Sequence, residues 1–171
     1  MHSLDTFWFL LQVCRYLLEA AKSGDVNSTK RWVSCTSDNC NAYNQHRYTP
    51  LIFAAEHGVE EVVRVLLEGG ANIELTTDIQ LTALHCAAWN GHLEVCRLLL
   101  DWGAKVDPLD HWKETPLHHA ARMGNLRVVM LLVERGADVK VRNGNSQTAS
   151  DWARREGKED VVKWLDLVRR G

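Results

Sequence analysis

Apolar residues along this chain recur in two alternating patterns, and both predict short helices. One pattern follows the spacing i, i+1, i+3, i+4, as in Val62, Val63, Val65 and Leu66, and again in Val95, Cys96, Leu98 and Leu99. The other is built on paired alanines, Ala54-Ala55, Ala87-Ala88 and Ala120-Ala121, which leave room for a neighbouring helix to approach closely. A threonine suited to N-capping precedes each alanine segment, and Pro50 and Pro116 take the first helical position, where a missing N–H costs nothing. Gly58, Gly91, Gly124 and Gly157 then end the first helix, and Gly70, Gly103 and Gly136 close the second. What remains of each unit is a short extended stretch leading to the next threonine.

These units repeat at a fixed step. TPLIFAAEHG, TALHCAAWNG, TPLHHAARMG and TASDWARREG begin at Thr49, Thr82, Thr115 and Thr148, each 33 residues after the last. A weaker copy, LLEAAKSG, runs over Leu17–Gly24, and LLEGGANIE, LLDWGAKVD and LVERGADVK recur in the same register. A helix pair that is apolar on both sides cannot bury itself, but stacked copies can, and the end copies should then differ. The last unit does: Asp151, Arg154 and Arg155 charge its first helix, while Val161, Val162, Trp164 and Leu165 keep the apolar spacing of its second.

The 33-residue step with T-P-L-H and G-A-D-V motifs resembles the ankyrin-repeat family, over about residues 17–168. The resemblance implies an all-α solenoid of stacked helix-turn-helix units joined by β-hairpin-like loops. It implies one domain over 1–171: an N-terminal cap repeat at about 4–43, full repeats at 44–76, 77–109 and 110–142, and a C-terminal cap repeat at 143–171. It also implies that His85 and His118 hydrogen-bond near the motif threonine. Three departures matter. The glycine two residues before the threonine is replaced by Arg47, Gln80, Lys113 and Ser146, so the hairpin turns are expected in a less ideal form. The motif histidine is Ile52 and Asp151 in the outer copies. The asparagine after G-A-D-V, hydroxylated in some members, is Glu74, Asp107 and Lys140, and that modification is not expected.

Composition narrows the functional classes. A net charge of −2 argues against a strongly basic nucleic-acid binder. Five cysteines at unrelated spacings suggest a reducing compartment, cytoplasmic or nuclear, and Asn27-Ser28-Thr29 is read as a chance sequon. The apolar run Phe7–Leu18 is too short to span a membrane and lacks a basic flank before it, so it is read as a buried capping helix. No metal, cofactor or catalytic site is expected. Cys35, Cys40 and His46 lack a second ligand pair with zinc spacing, and adjacent rings at His118-His119 point about 100° apart on a helix. Cys86 and Cys96 read as small core residues, Glu60-Glu61 as a solvated face, and the basic residues of the last unit likewise.

The family likeness further implies a concave groove lined by hairpin tips and first helices. Its candidate residues are Gln45, His46, Tyr48, Glu56 and His57; Asp78, Ile79, Leu81, Trp89 and Asn90; and His111, Trp112, Glu114, Arg122 and Met123. The partner-binding set drawn from them is Tyr48, Ile79, Leu81, Trp89, Asn90, Trp112, Glu114, Arg122 and Met123. Tyr48, Ile79, Leu81, Trp89, Trp112 and Met123 should form one apolar patch, and such patches commonly mark interaction sites. Arg122 is offered as a partner for an acid. The expected function is a non-enzymatic protein–protein module, monomeric by itself, with no membrane or nucleic-acid partner. The competing reading is nucleic-acid or small-ligand binding in the same aromatic groove. Trp8, Trp32, Trp152 and Trp164 are read as core or cap residues, and Trp102 has no assignment.

Overall fold

A computed structural model describes residues 15–35 and 40–170. Ten helices form five successive pairs among the described residues: α1 over 15–23 with α2 (Val26–Cys35), α3 (Pro50–His57) with α4 (Glu60–Glu68), and α5 (Ala83–Asn90) with α6 (Leu93–Asp101). Two more pairs follow, α7 (Pro116–Met123) with α8 (Leu126–Glu134) and α9 (Ala149–Arg155) with α10 (Glu159–Arg170). The fold is an all-helical solenoid. The part of the Phe7–Leu18 run before residue 15, and Trp8, lie outside the described residues. No described helix is long and apolar enough to cross a membrane.

The two rows of helices pack differently, for a reason visible in their sequences. First helices α3, α5, α7 and α9 stack on one another through Ala54, Ala55, Ala87, Ala88, Ala120, Ala121 and Ala153, all fully buried. Second helices carry valine, leucine and cysteine on the shared face, so α4, α6, α8 and α10 pack less closely. Small side chains on one row and large ones on the other let the first helices sit closer together than the second. The groove lies along this closely packed row.

The threonine caps form as the motifs suggest, and the histidines extend them. Thr49 Oγ1 accepts from the Ile52 N–H at 3.3 Å. Thr82 N–H and Oγ1 both approach His85 Nδ1, at 3.2 and 3.0 Å, which leaves Nε2–H to donate to Glu114 O at 3.1 Å in the next hairpin. His118 repeats this with Thr115 and Gln147 O, also at 3.1 Å. In the last repeat Asp151 replaces the imidazole, accepting from Thr148 N–H at 2.9 Å and Oγ1–H at 2.8 Å. Each histidine therefore caps one repeat and fastens the next.

The hairpin turns survive without their glycines, at the cost of strained backbone. Arg47, Gln80, Lys113 and Ser146 all adopt the left-handed region, at φ 59°, 63°, 60° and 59°. Each turn is locked by the side chain that opens it, the second by a single bond from Leu81 N–H to Thr77 Oγ1. Asn44 Oδ1 accepts from His46 and Tyr48 N–H, Asp110 Oδ1 from Trp112 and Glu114 N–H, and Asn143 Oδ1 from Asn145 and Gln147 N–H. Successive tips are then linked by single main-chain bonds: Asp78 N–H to His46 O, His111 N–H to Ile79 O and Gly144 N–H to Trp112 O. The strain of four non-glycine αL residues is held by these bonds on both sides.

Outer loops tie neighbouring repeats in a similar way. Glu74 Oε1 accepts from Lys105 N–H at 3.0 Å, and Asp107 Oδ2 accepts from Asp138 N–H at 2.9 Å. Two of the three positions that family members fill with asparagine, Glu74 and Asp107, thus carry an inter-repeat bond here. Cys86 and Cys96 are buried core residues with their thiols pushed up to about 12, chiefly by burial. Cys40 donates to Gly69 O at 3.3 Å, and His46 stands at a hairpin tip beside Gln45; the side chain of Cys35 lies outside the described residues. Glu60 and Glu61 face solvent and pair with Arg64 and Lys30.

Candidate functional site: the groove pocket

The groove deepens into a pocket of about 470 Å³ between the middle hairpins and helices α5, α7 and α9. Tyr48, Leu81, Trp89, Asn90, Trp112, Glu114 and Arg122 line it, together with Glu56, His85, Cys86, His119, Asn145 and Trp152. Seven of the nine predicted partner-binding residues therefore surround one cavity. Ile79 and Met123 do not line it; they stand exposed nearby on the surface, at 40 % and 42 %.

The predicted residues play unequal parts. Trp112, 53 % exposed, projects from the third hairpin and packs edge-on against His111, with ring centroids 5.7 Å apart. Trp89 is half-buried, edge-on to His119 at 5.4 Å, so it supports the floor as well as forming the wall. Arg122 is not free. Its guanidinium lies 4.3 Å from the Trp152 ring and 5.3 Å from the Trp89 ring, with Glu156 Oε1 at 3.9 Å from Nε. A resident cation already occupies both indole faces, so an incoming acid would have to compete with Glu156. Asn90 spends an amide hydrogen on Cys86 O at 2.9 Å.

Glu114 departs most from its predicted role. It is only 5 % exposed, and its Oε1 accepts from Trp152 Nε1–H at 2.6 Å and Asn143 Nδ2–H at 2.8 Å. A buried carboxylate held by two neighbouring-repeat donors is a fastening, because its own desolvation leaves it poorly suited to reach a partner. Beside it His119 Nε2 lies 2.9 Å from Asp110 Oδ2. Burial would raise the Asp110 carboxyl, but the bond from His119, the Glu114 N–H and the charges of His119 and His85 together hold it below its usual value. His85, beside this cluster, is pushed down to about 4, first by burial and then by His119.

Six lining residues were not in the predicted partner-binding set, and the period points to four of them. Cys86, His119 and Trp152 occupy one register position, four residues after the motif threonine, with Phe53 in the first full repeat. Asn145 is the register equivalent of Trp112. The expected groove set ends at the third repeat and leaves Trp152 to the core; Trp152 is core by burial, yet it also lines the pocket. The divergence of His118 and His119 is as expected, since their Nε2 atoms reach Gln147 O and Asp110 Oδ2 respectively. Helix geometry alone does not show that His119 meets the preceding hairpin.

Paired helices, locked hairpin turns and a groove along the alanine row define a helical repeat protein with one preformed recess. A family model described as ankyrin repeats (3 copies) matches residues 17–110 and again 103–166. The chain belongs to the ankyrin-repeat family. Ankyrin repeats are generally protein–protein interaction modules, and their fold is typically non-enzymatic.

Proposed function

We propose that this chain is a non-enzymatic adaptor or regulatory subunit that seats part of a partner protein in the groove pocket. The observation that carries the reading is the pocket itself: indole walls at Trp89, Trp112 and Trp152 around a recess, with exposed Ile79 and Met123 beside it. Tryptophan and arginine in a central recess are the residue types that dominate interface energetics. Working in a reducing compartment, cytoplasmic or nuclear, fits the free, buried thiols of Cys40, Cys86 and Cys96.

Trp112→Ala is the cleaner test, because Trp112 is exposed whereas Trp89 supports His119 and Arg122. Trp112→Ala should abolish capture of whichever protein the wild type retains, with little change in thermal midpoint. Trp102→Ala, exposed at the end of α6, serves as control and should keep capture. Equal capture by wild type and Trp112→Ala would overturn the reading. A recess of this volume also suits a small ligand, since such sites commonly measure about 300–1,000 Å³. Binding that weakens steeply with salt would instead indicate nucleic acid.

A further inference from the structure

The third hairpin carries an arrangement that holding a partner does not require. Asp110 and Glu114, at the two ends of that hairpin, and His119, within α7, each bring one donor atom to a common point. Their ligand atoms lie within 4.8 Å of one another, and all three side chains are buried. His119 Nε2 stands 2.9 Å from Asp110 Oδ2 and 3.8 Å from Glu114 Oε2. Glu114 and His119 also face the pocket, so the point is reachable from the groove.

Each carboxylate is divided in its duties. Asp110 Oδ1 takes the N–H groups of Trp112 and Glu114, and Glu114 Oε1 takes those of Trp152 and Asn143. The second oxygen of each is turned to the same imidazole nitrogen. Glu114 Oε2 accepts no hydrogen bond among the described residues and is not fully enclosed, in keeping with its place at the pocket wall. With both carboxylates ionised, the cluster remains negative whether the imidazole is neutral or protonated. Arg122 does not supply the balance, being stacked on Trp152 and Trp89 and directed to Glu156. Buried excess charge is costly unless a cation completes it.

We propose that Asp110, Glu114 and His119 form a divalent metal site of the zinc type at the floor of the groove, with a further coordination position open to the pocket. One imidazole nitrogen and two carboxylate oxygens are a set that zinc accepts, at about 2.0–2.2 Å from the ion. Tetrahedral geometry at that radius sets donor atoms about 3.3 Å apart, so the His119–Glu114 pair at 3.8 Å closes by about half an ångström, the His119–Asp110 pair at 2.9 Å opens by about as much, and the two carboxylate oxygens, within 4.8 Å of each other, adjust with them. The N–H groups on the outer oxygens hold both carboxylates in place, as outer-shell partners do in established metal sites. The imidazole selects against magnesium and calcium, which prefer an all-oxygen shell. On binding, the Nε2 lone pair goes to the metal. In a neutral ring the proton that Nε2 donates to Asp110 Oδ2 moves to Nδ1, and in an imidazolium it is released to solvent while Nδ1 keeps its own. The site stands independently of which protein, if any, occupies the groove above it.

The test is a titration of the chelator-treated full chain with zinc chloride, followed by calorimetry and by imidazole nitrogen NMR, with magnesium chloride in parallel. One zinc ion per chain should bind, magnesium should not, and the His119 resonances should move to a metal-bound Nε2 pattern. Glu114→Gln keeps an oxygen for Trp152 and Asn143 but replaces the free ligand oxygen with an amide, and should weaken zinc binding at least tenfold. His119→Gln should do the same, and circular dichroism of each metal-free variant confirms that it is folded. The wild-type NMR readout does not depend on either variant. No binding up to about 1 mM zinc overturns the proposal. So does equal affinity in folded variants, or a response confined to exposed His46, His57 and His111, which means an adventitious ion only.

Discussion

The repeats at 44–76 and 110–142 share a backbone plan but differ almost wholly in what they place behind it. Both open with a side chain that locks an αL hairpin, both cap a first helix with threonine, and both stack through paired alanines. In the first, the register positions hold Asn44, Tyr48, Ile52 and Phe53, and Tyr48 packs on Phe53 with ring centroids 5.0 Å apart. In the third, they hold Asp110, Glu114, His118 and His119, and the contacts become buried charge and hydrogen bonds. Four positions that the fold leaves open thus decide whether a repeat is stabilised by apolar packing or by a polar network. That network is where the pocket lies.

The largest effect should come from removing the carboxylate that joins the third repeat to the fourth. Glu114→Ala strips an acceptor from Trp152 Nε1 and Asn143 Nδ2 and leaves both buried donors unpaired. At about 1–3 kcal/mol for each orphaned group, the loss should reach about 3 kcal/mol. Tyr48→Ala at the matching position removes half-buried ring packing and should cost about 1 kcal/mol. Urea denaturation of the two variants measures the difference. Equal losses would mean that the polar network is no stronger a fastening than the aromatic contact.

A second contrast lies in pH. His85 is held neutral in the folded chain, down to about 4, by burial first. Between pH 6.5 and 4 the unfolded chain takes up a proton that the folded chain refuses, so stability falls as pH falls through that window. The expected loss from pH 7 to 4.5 is roughly 2–3 kcal/mol. His118, also lowered chiefly by burial, acts in the same direction. Asp110 is shifted down in the folded state, so the stability it contributes is present above the usual carboxylate value and is lost only as pH falls below it. The first full repeat has Ile52 at this position and adds nothing to the slope. His85→Gln should flatten the fall between pH 7 and 4.5 in urea titrations, whereas Ile52→Val should shift stability equally at both pH values.

The shared plan was legible in the sequence, and the polar network was not. Thr49, Thr82, Thr115 and Thr148, the alanine pairs and the closing glycines each act within a few residues, so a constant step exposes them. The groove was legible to the same extent, because Trp89 and Trp112 sit at fixed offsets from those threonines. The contact of His119 with Asp110 spans nine residues across a hairpin and a helix start, and motif reading treats each side alone. The fastening of Glu114 depends on residues of the following repeat, which makes a tip position look exposed when it is covered. The hairpin turns were legible as strained, but not what holds them. The missing glycines suggested altered turns, but locking bonds from both sides outweigh a strain of about 1–2 kcal/mol per residue.

That strain gives the smallest test, on a feature the two repeats have in common. Lys113 is exposed at φ 60°, and Lys113→Gly relieves the αL cost while adding the conformational entropy of glycine in the unfolded chain. The two nearly offset, with a net gain of about 0.5 kcal/mol. Arg47 has the same backbone at φ 59°, but its guanidinium lies 5.2 Å from the Tyr43 ring. An exposed cation–π contact contributes about 0.5 kcal/mol, so Arg47→Gly should leave stability unchanged. Paired thermal melts would separate the outcomes. A gain at both positions means that the Arg47–Tyr43 contact contributes nothing; a loss at both means that the hairpin tips carry no strain for glycine to relieve.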